Sequence, residues 1–554
     1  MGYSRSDTAF FHDKATHHVI EDIADSDGLV IFAGAGVTID RTDLTWRGLL
    51  LGLLRRVPAS DEEREAVIQY SGQRSELHLA SIVRSLYERT GPGWNRRMIE
   101  DAHALLYSER TWRGGRYANA IAQLVLAVRE SGRKVCIVTT NQDEFIEIAI
   151  LEACRRSGVQ EEVRTLSLEH KESVGEPRLV DGQKVRPTAT GERIPVVHVH
   201  GAIKKDPRKD SKIGSIVLGE RDFFVWETDV AELLVPLFES ANVLIVGAGL
   251  EDPNLMRALH KVKQRRKETT DGSHPKRKVW SVTTKGSLVS GAISEPAVKA
   301  AKVGLSKRLG EFDVVPVLPD MYSQAHQLLL EVASEIAHRS ETCKYSSADA
   351  DYRYGRRLRS WWQAWDELTR APRAGVSATS DARQLSTQND HHGSLVLAED
   401  MAREVLSSVP GYEKTDRIKV EVWLRWDPSE SNRRLRLWAT SLGPWASAAG
   451  YKDAEISTDS GMAAVRAFCS GSAELLSVTG DRWQRYLAVP VEVQAEGGSS
   501  VIVGVATVAT SNPSLLAWKE VSPMRRLVFE LPLWVKETII AGPFEVAQPG
   551  LPVD

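Results

Sequence analysis

Cysteine is scarce in this chain. Four occur in 554 residues, at Cys136, Cys154, Cys343 and Cys469. No two are spaced as a CxxC pair, which argues against a zinc ribbon, and no metal site is expected. So few thiols fit a reducing compartment, and the cytoplasm is the expected location. A dominant charge sign is also missing. Lys+Arg number 71 against 74 Asp+Glu, a formal net charge of -3. A dedicated nucleic-acid binder carries a basic excess, so nucleic acid is not an expected partner. No apolar run approaches the ~18 residues of a membrane helix. The opening MGYSRSDTAFFHDK lacks an apolar signal core. No internal repeat is visible.

What is present is length and alternation. A chain of 554 residues is too long for one ordinary domain. Up to about residue 340, short apolar runs alternate with helix-like patterns. The runs are Leu29 to Ala33, Lys134 to Thr139, Pro195 to Val199, Ser215 to Leu218, Val243 to Val246, Lys278 to Val282 and Phe312 to Val317. Several are Val/Ile-rich without alternation, as in strands of a parallel sheet buried on both faces. YANAIAQLVLAVRESG and YSQAHQLLLEVASEIA show three- and four-residue apolar spacing. The expectation is a doubly wound α/β domain over residues 1–340, with an all-helical insertion from about Ser60 to Arg110. Residues 341–394 read as a charged, Trp-containing helix followed by a polar linker, in which His391 and His392 are expected to be solvated. Residues 395–554 read as α+β. They open with a helix from Leu395 to Val409, and strands follow at Ile418 to Arg425, Leu435 to Ala439, Gln484 to Val493 and Val501 to Thr510. QAEGGSS marks a hairpin turn between the last two strands. A final helix is expected from about Ser514.

Four motifs stand at the ends of predicted strands. VIFAGAGVTID runs an apolar strand into Gly34-Ala35-Gly36. Such a turn lets backbone amides approach a phosphate at a helix start, or it simply packs a helix. CIVTTNQDEFIE places Thr140, Asn141 and Asp143 where α/β sheets bind ligands. Asn and Asp there can instead cap a helix. IPVVHVHGAI ends in His198 and His200, which alternation puts on one face. VLIVGAGLEDPNL ends in Gly247-Ala248-Gly249, with Asp252 beyond it. Two glycine turns at separate strand ends can hold two parts of one long ligand.

In this order, GAG, TTNxD, HxHG and GxGLxDPNL resemble the sirtuin-like family. LTWRGLL (Leu44 to Leu50) and SIVLGERDFF (Ser215 to Phe224) resemble family segments between those motifs. The likeness covers roughly residues 15–335. It implies a Rossmann-like NAD-binding domain, with NAD+ as cofactor or substrate. Sirtuin deacetylases carry a four-cysteine zinc module that this chain cannot supply. TTN in place of TQN and the absent module resemble bacterial sirtuin-like NAD+ hydrolases of anti-phage defence. That likeness implies an NAD+ hydrolase serving abortive infection. Residues 395–540 resemble a GAF domain, which implies a small-molecule or phage-protein trigger there, or a dimerisation unit in a homo-oligomer.

The chemistry is consistent with these residues. Nicotinamide leaves as a neutral base from a cationic pyridinium, so no acid is needed to protonate it. Asn141 can position water without repelling an oxocarbenium-like ribose. His200 can accept a proton from a ribose hydroxyl or from water. Asp143 is a partner for nicotinamide or ribose. The amides of Gly34, Ala35 and Gly36 would cradle pyrophosphate, with Thr38 and Asp40 bordering the loop and Thr140 nearby. Gly247 and Gly249 would approach the adenosine side, and Asp252 would bind ribose or cap a helix. On this reading Gly36→Val loses NAD+ binding with little loss of stability. If the turn serves packing, stability falls first. Three other readings stay open: a non-catalytic nucleotide sensor, an NAD-dependent protein deacylase, and the hydrolase subunit of a short Argonaute system.

Overall fold

The apolar runs of the first half assemble into one sheet. In a computed structural model, the described residues are 14–72, 75–107, 113–169, 178–179, 186–206, 216–268, 277–284, 295–319, 321–342, 378–425, 434–444, 452–479, 482–494, 500–517 and 521–540. The strands are β1 (Gly28–Ala33), β2 (Lys134–Thr139), β3 (Val163–Glu169), β4 (Arg178–Leu179), β5 (Ile194–His198), β6 (Asn242–Val246), β7 (Val279–Val282) and β8 (Val314–Val317). Their order is β4-β3-β5-β2-β1-β6-β7-β8. All neighbours are parallel except the short edge strand β4, which runs antiparallel to β3.

The helices of this half are α1 (Lys14–Ala24), α2 (Ala35–Thr42), α3 (Trp46–Arg56), α4 (Asp61–Ser71), α5 (Glu76–Glu88), α6 (Trp94–Leu106), α7 (Arg116–Glu130), α8 (Phe145–Ser157), α9 (Glu220–Ser240), α10 (Pro253–Glu268), α11 (Glu295–Gly310) and α12 (Tyr322–Thr342). Every residue of β1 is buried because helices cover both of its faces. Leu29, Ile31 and Ala33 join a core with α1, α7 and α12, while Val30 and Phe32 join another with α9 and α10. Period-two side chains on a strand sandwiched by helices must all be apolar, so the sequence reads as an unbroken hydrophobic run. The helical insertion builds its own core from Leu49, Leu53, Leu79, Val83, Met98 and Leu106. Ser60 and Glu63 start α4 with reciprocal capping bonds.

The second half is a single antiparallel sheet. Its strands are β9 (Ile418–Arg425), β10 (Arg434–Thr440), β11 (Asp453–Glu455), β12 (Glu474–Ser477), β13 (Arg485–Gln494) and β14 (Ser500–Thr510), in the order β11-β10-β9-β14-β13-β12. Helices α13 (Ala378–Leu406) and α15 (Val521–Val535) supply Leu395, Ala402, Leu527 and Leu531 to the core over one face. Helix α14 (Ala463–Ser470) supplies Val465 and Phe468 to the core over the other. No helix among the described residues is long and apolar enough to cross a membrane.

Several expectations are corrected. Residues 216–218 are not a strand; Val217 donates its amide to the His200 carbonyl and Leu218 to the Asp222 carboxylate, so this segment is an extended bridge into α9. The polar linker is helical from Ala378 onward. Its turns from His391 onward pack on the sheet through Trp438, Leu395 and Ala402. His391 is buried and accepts a hydrogen bond from the Trp438 indole, and His392 lies 2.8 Å from the Thr440 carbonyl, so the pair is not solvated. The last helix starts at Val521, not near Ser514. The charged helix expected over residues 343–373 lies outside the described residues, as do Cys343 and the QAEGGSS turn itself at 495–499. The β13–β14 hairpin pairing is present, from Arg485 opposite Thr510 to Gln494 opposite Ser500.

Candidate active site

Four neighbouring parallel strands, β5, β2, β1 and β6, end on one edge of the sheet. The chain runs outward from β1 through β2, then resumes on the opposite side of β1 with β6. A sheet whose winding reverses in this way opens a crevice at the carboxyl ends of its strands. All four sequence motifs lie on that edge.

The two glycine turns do not face a ligand side by side; they hold each other. Gly34 N–H donates to Val246 O, and Gly36 N–H donates to Gly247 O at 2.8 Å. The Gly247 backbone bonds in turn to the Tyr117 hydroxyl. Of the three amides expected to cradle pyrophosphate, only that of Ala35, an exposed residue, has no protein acceptor among the described residues. A Cβ on Gly34 would lie 2.6 Å from Ala248 Cα, and one on Gly36 would lie 2.9 Å from Gly247 Cα and against the Tyr322 hydroxyl. Glycine is therefore required at Gly36 by packing, and Gly36→Val must lower stability first. Gly247 adopts a φ of +62°, which a side chain would strain. Gly249 differs: it is exposed, and a Cβ there meets nothing within 4 Å.

The TTN segment is tied to the first turn. Thr139 Oγ1 donates to Ala33 O and accepts from the Asn141 amide, and Thr140 N–H donates to Ala33 O. The Asn141 side chain donates from Nδ2 to Gly34 O at 3.0 Å, which fixes the amide plane beside the turn. Asp143 has both oxygens engaged within the protein. Oδ1 accepts from the Phe145 amide and caps α8, and Oδ2 accepts from Thr38 Oγ1. Burial pushes the Asp143 carboxyl above the usual range, against those two donors. Asp143 and Thr38 therefore brace α2 against α8.

The two histidines part company, because β5 ends at His198 and alternation does not carry to His200. His198 is fully buried between the Asn141 carbonyl, 2.7 Å from Nδ1, and Glu147 Oε1, 2.8 Å from Nε2. His200 turns toward β6 and lies edge-on to Phe223. Its Nε2 is 3.2 Å from Asp252 Oδ2, an ion-pair approach without hydrogen-bond geometry, so the buried Nε2 keeps no bond partner. Asp252 Oδ1 accepts from the Asn254 and Leu255 amides at the start of α10. Burial would raise its carboxyl pKa, but His200 and those amides hold it below the ordinary value. Asp252 is thus a helix cap and the partner of His200. β5 and β6 stand three strand spacings apart, roughly 14 Å. The His200–Asp252 approach therefore means that their loops arch over the ends of β2 and β1.

Asp40 does not border the crevice. Its Oδ2 accepts from the Tyr117 amide at 2.8 Å, and its Oδ1 accepts from Ser472 Oγ of the second half. Around it Arg116 donates to Gly471 O and Pro490 O and pairs with Glu492, and Arg113 lies 3.8 Å from Glu474. The two halves meet at the back of α2. Sequence reasoning missed Glu147, Tyr117, Tyr322 and Ser472. Glu147 had a signal as the acidic residue in the first turn of the helix that follows TTNQD. Ser472 had none. Among the described residues no group of three His, Cys, Asp or Glu side chains is placed to hold a metal.

Residues 135–301 match a family model described as a SIR2-like domain. That stretch takes in β2, Asn141, both histidines and the second glycine turn, so this part of the chain is sirtuin-like; the Gly34 turn lies outside the matched residues. No curated protein matches the chain. Among solved structures, a Sir2 homologue mutant with ADP-ribose shares 13% identity over 60% of this chain and 99% of that one, at a TM-score of 0.26. A Sir2 homolog–NAD complex shares 15% over 58% and 94%, at 0.24. Likeness at these TM-scores carries no weight in the argument below.

Proposed function

We propose that the chain is an NAD+ glycohydrolase, cleaving NAD+ to nicotinamide and ADP-ribose in the crevice over β1, β2, β5 and β6, under the control of its second half. The observation that carries this reading is the placement of Asn141 and His200 just beyond the carboxyl ends of the neighbouring strands β2 and β5. The Asn141 amide is locked beside the Gly34 turn, and His200 presents a buried, unsatisfied ring nitrogen under the arch that closes the crevice. Cleavage of the nicotinamide bond needs little more. The leaving group departs neutral, and the site must stabilise an oxocarbenium-like ribose and admit water. A neutral amide orients water without competing charge. A histidine whose ring nitrogen has no protein bond can take a proton from that water, and Asp252 stabilises the imidazolium that results. The SIR2-like match over residues 135–301 supports a nucleotide of the NAD class. The exposed Gly249 and the Ala35 amide mark where its phosphates and adenosine would lie.

Control is read from the seam. Asp40 is shared between the Tyr117 amide and Ser472, so a shift of the α14–β12 turn moves α2, and with it Thr38 and Asp143. A GAF-like second half, holding a trigger or a second copy of the chain, would act through that turn. Depletion of NAD+ in abortive infection is the biological role this reading implies.

The test is direct. Purified protein incubated with NAD+ should release nicotinamide and ADP-ribose, more so in extract of phage-infected cells. Asn141→Ala should abolish release while the protein stays folded. Gly249→Val has no protein contact to disturb, so its melting temperature should hold while NAD+ binding by calorimetry is lost. Normal NAD+ binding by Gly249→Val would place the nucleotide elsewhere, and wild-type protein silent in every condition would sink the hydrolase reading.

A further inference from the structure

Behind Asn141 lies a buried polar relay that ligand contact does not explain. Thr165 on β3 donates to Glu147 Oε1 at 3.0 Å. The same oxygen meets His198 Nε2, and His198 Nδ1 meets the Asn141 carbonyl. From there the Asn141 side chain reaches Gly34 O. The relay crosses from β3 to β1 beneath the crevice floor.

The protonation state follows from the acceptors. A carbonyl oxygen only accepts, so His198 Nδ1 carries hydrogen. Glu147 Oε1 already accepts from Thr165, so Nε2 carries hydrogen too. Burial alone would strip charge from the ring; the Glu147 carboxylate and the Asn141 carbonyl outweigh it and raise the His198 pKa. Asp143 also faces the ring electrostatically, and Glu144 feels its charge. Glu147 Oε2 is buried with no bond partner. A buried pair satisfied on one side only is a poor stabiliser compared with apolar residues of similar volume. Its position under Asn141 gives it a different use.

We propose that His198 and Glu147 are a positioning pair, a buried imidazolium and carboxylate that clamp the Asn141 main chain and so fix the angle at which its amide meets the substrate. The pair touches no ligand. It acts through Asn141, and it rests on the reading of Asn141 as the residue that faces the reacting ribose. If the clamp slips, the amide tilts away from Gly34 and the water it orients is misplaced. A displacement of about 1 Å in such a group lowers turnover on the order of 100-fold.

The test uses the full chain with paired substitutions. His198→Leu with Glu147→Leu removes both charges together and keeps the core filled, so the melting temperature should hold or rise. Turnover should nonetheless fall on the order of 100-fold, with KM for NAD+ nearly unchanged, the signature of a lost transition-state contact. His198→Asn with Glu147→Gln keeps an N–H toward Asn141 O and should recover most of that turnover. A structural role alone predicts the reverse ranking. A folded double-leucine variant with wild-type turnover would overturn the proposal. One readout is independent of activity. In 15N-histidine-labelled wild type, assigned by loss of the signal in His198→Asn, both ring nitrogens of His198 should still carry protons at a pH above the ordinary imidazole value of about 6.5. A neutral ring there also overturns it, even if wild type hydrolyses NAD+. Absence of hydrolysis with a protonated ring would remove the hydrolase reading and leave the clamp in place.

Discussion

Each half of the molecule buries a histidine against a partner, and the two partners leave the rings in opposite states. In the parallel-sheet half, His198 lies between a carbonyl and a carboxylate, and its pKa is raised. In the antiparallel half, His391 Nδ1 accepts from the Trp438 indole N–H at 2.8 Å, so that nitrogen carries no proton. Burial pushes the His391 pKa down to about 4. The difference follows from topology. A parallel sheet delivers every strand end to one edge, where loop carbonyls and carboxylates gather and can hold a charge. The antiparallel sheet sends its chain out at both edges, and its buried polar groups pair locally within the core. What concentrates chemistry in the first half is the single direction of its strands.

That contrast can be broken at its strongest point by catalysis. His200→Ala should lower nicotinamide release by about 10²–10⁴-fold, whereas His391→Gln should leave release per folded molecule unchanged. Equal losses from both would mean that the second half contributes to the chemistry. Next in size is stability at the interlocked turns. Gly36→Val forces its new side chain onto Gly247 and Tyr322 and should cost about 3 kcal/mol in urea unfolding. A loss below about 0.5 kcal/mol would show that the turns separate freely.

The histidines then predict opposite acid and base behaviour. For His391 the folded pKa is below the unfolded value. The unfolded chain binds more protons between the two, so stability falls as pH drops from about 6.5 to about 4. The loss is at most about 3 kcal/mol. For His198 the folded pKa is the higher one, so its contribution is complete below about pH 6.5 and is lost as pH rises through the raised value. Hydrogen exchange should show β9 and β10 loosening in acid while β2 and β5 do not. Acid loosening of both sheets together would erase the distinction. The smallest effect is expected at the seam. Ser472→Ala removes one hydrogen bond to the Asp40 carboxylate and should cost about 1.5 kcal/mol. A double-mutant cycle with Asp40→Asn should show coupling between the two sites, and additive losses would remove the link.

Six of the eight strands were legible because they are apolar runs, and no other role suits LVIFA or VLIV between helix patterns; β3 (VRTLSLE) and the two-residue β4 alternate polar with apolar residues or are too short to form such a run. The crevice was legible because TTNQD, HVHG and the two glycine turns all close such runs. What each residue does there was less so. Gly34 to Gly36 reads as a phosphate loop until Val246 and Gly247 are found to accept the Gly34 and Gly36 amides. Thr38 and Asp143 stand 105 residues apart, and their bond has no local sign. Residues 378–394 look like a linker because they are small and polar, without an apolar stripe. Ile216 and Leu218 are buried beneath the helical insertion, a burial that mimics a strand.

The placement of β1 has a consequence for the order in which the molecule can be made. One edge of β1 is bonded to β2, but the other waits for β6, and Asp40 on the next helix waits for Ser472, 432 residues further on. At 5–20 residues per second of synthesis, that interval lasts roughly 20–90 s. For about the first half of it, until β6 is made, the central strand has a free edge and the glycine turn has no opposing turn to seat against. Ala35 and Asn141 reach their final positions only when β6 arrives, and the back of α2 is closed only when most of the chain has left the ribosome. Whatever reaction the crevice performs is therefore reserved for the finished molecule.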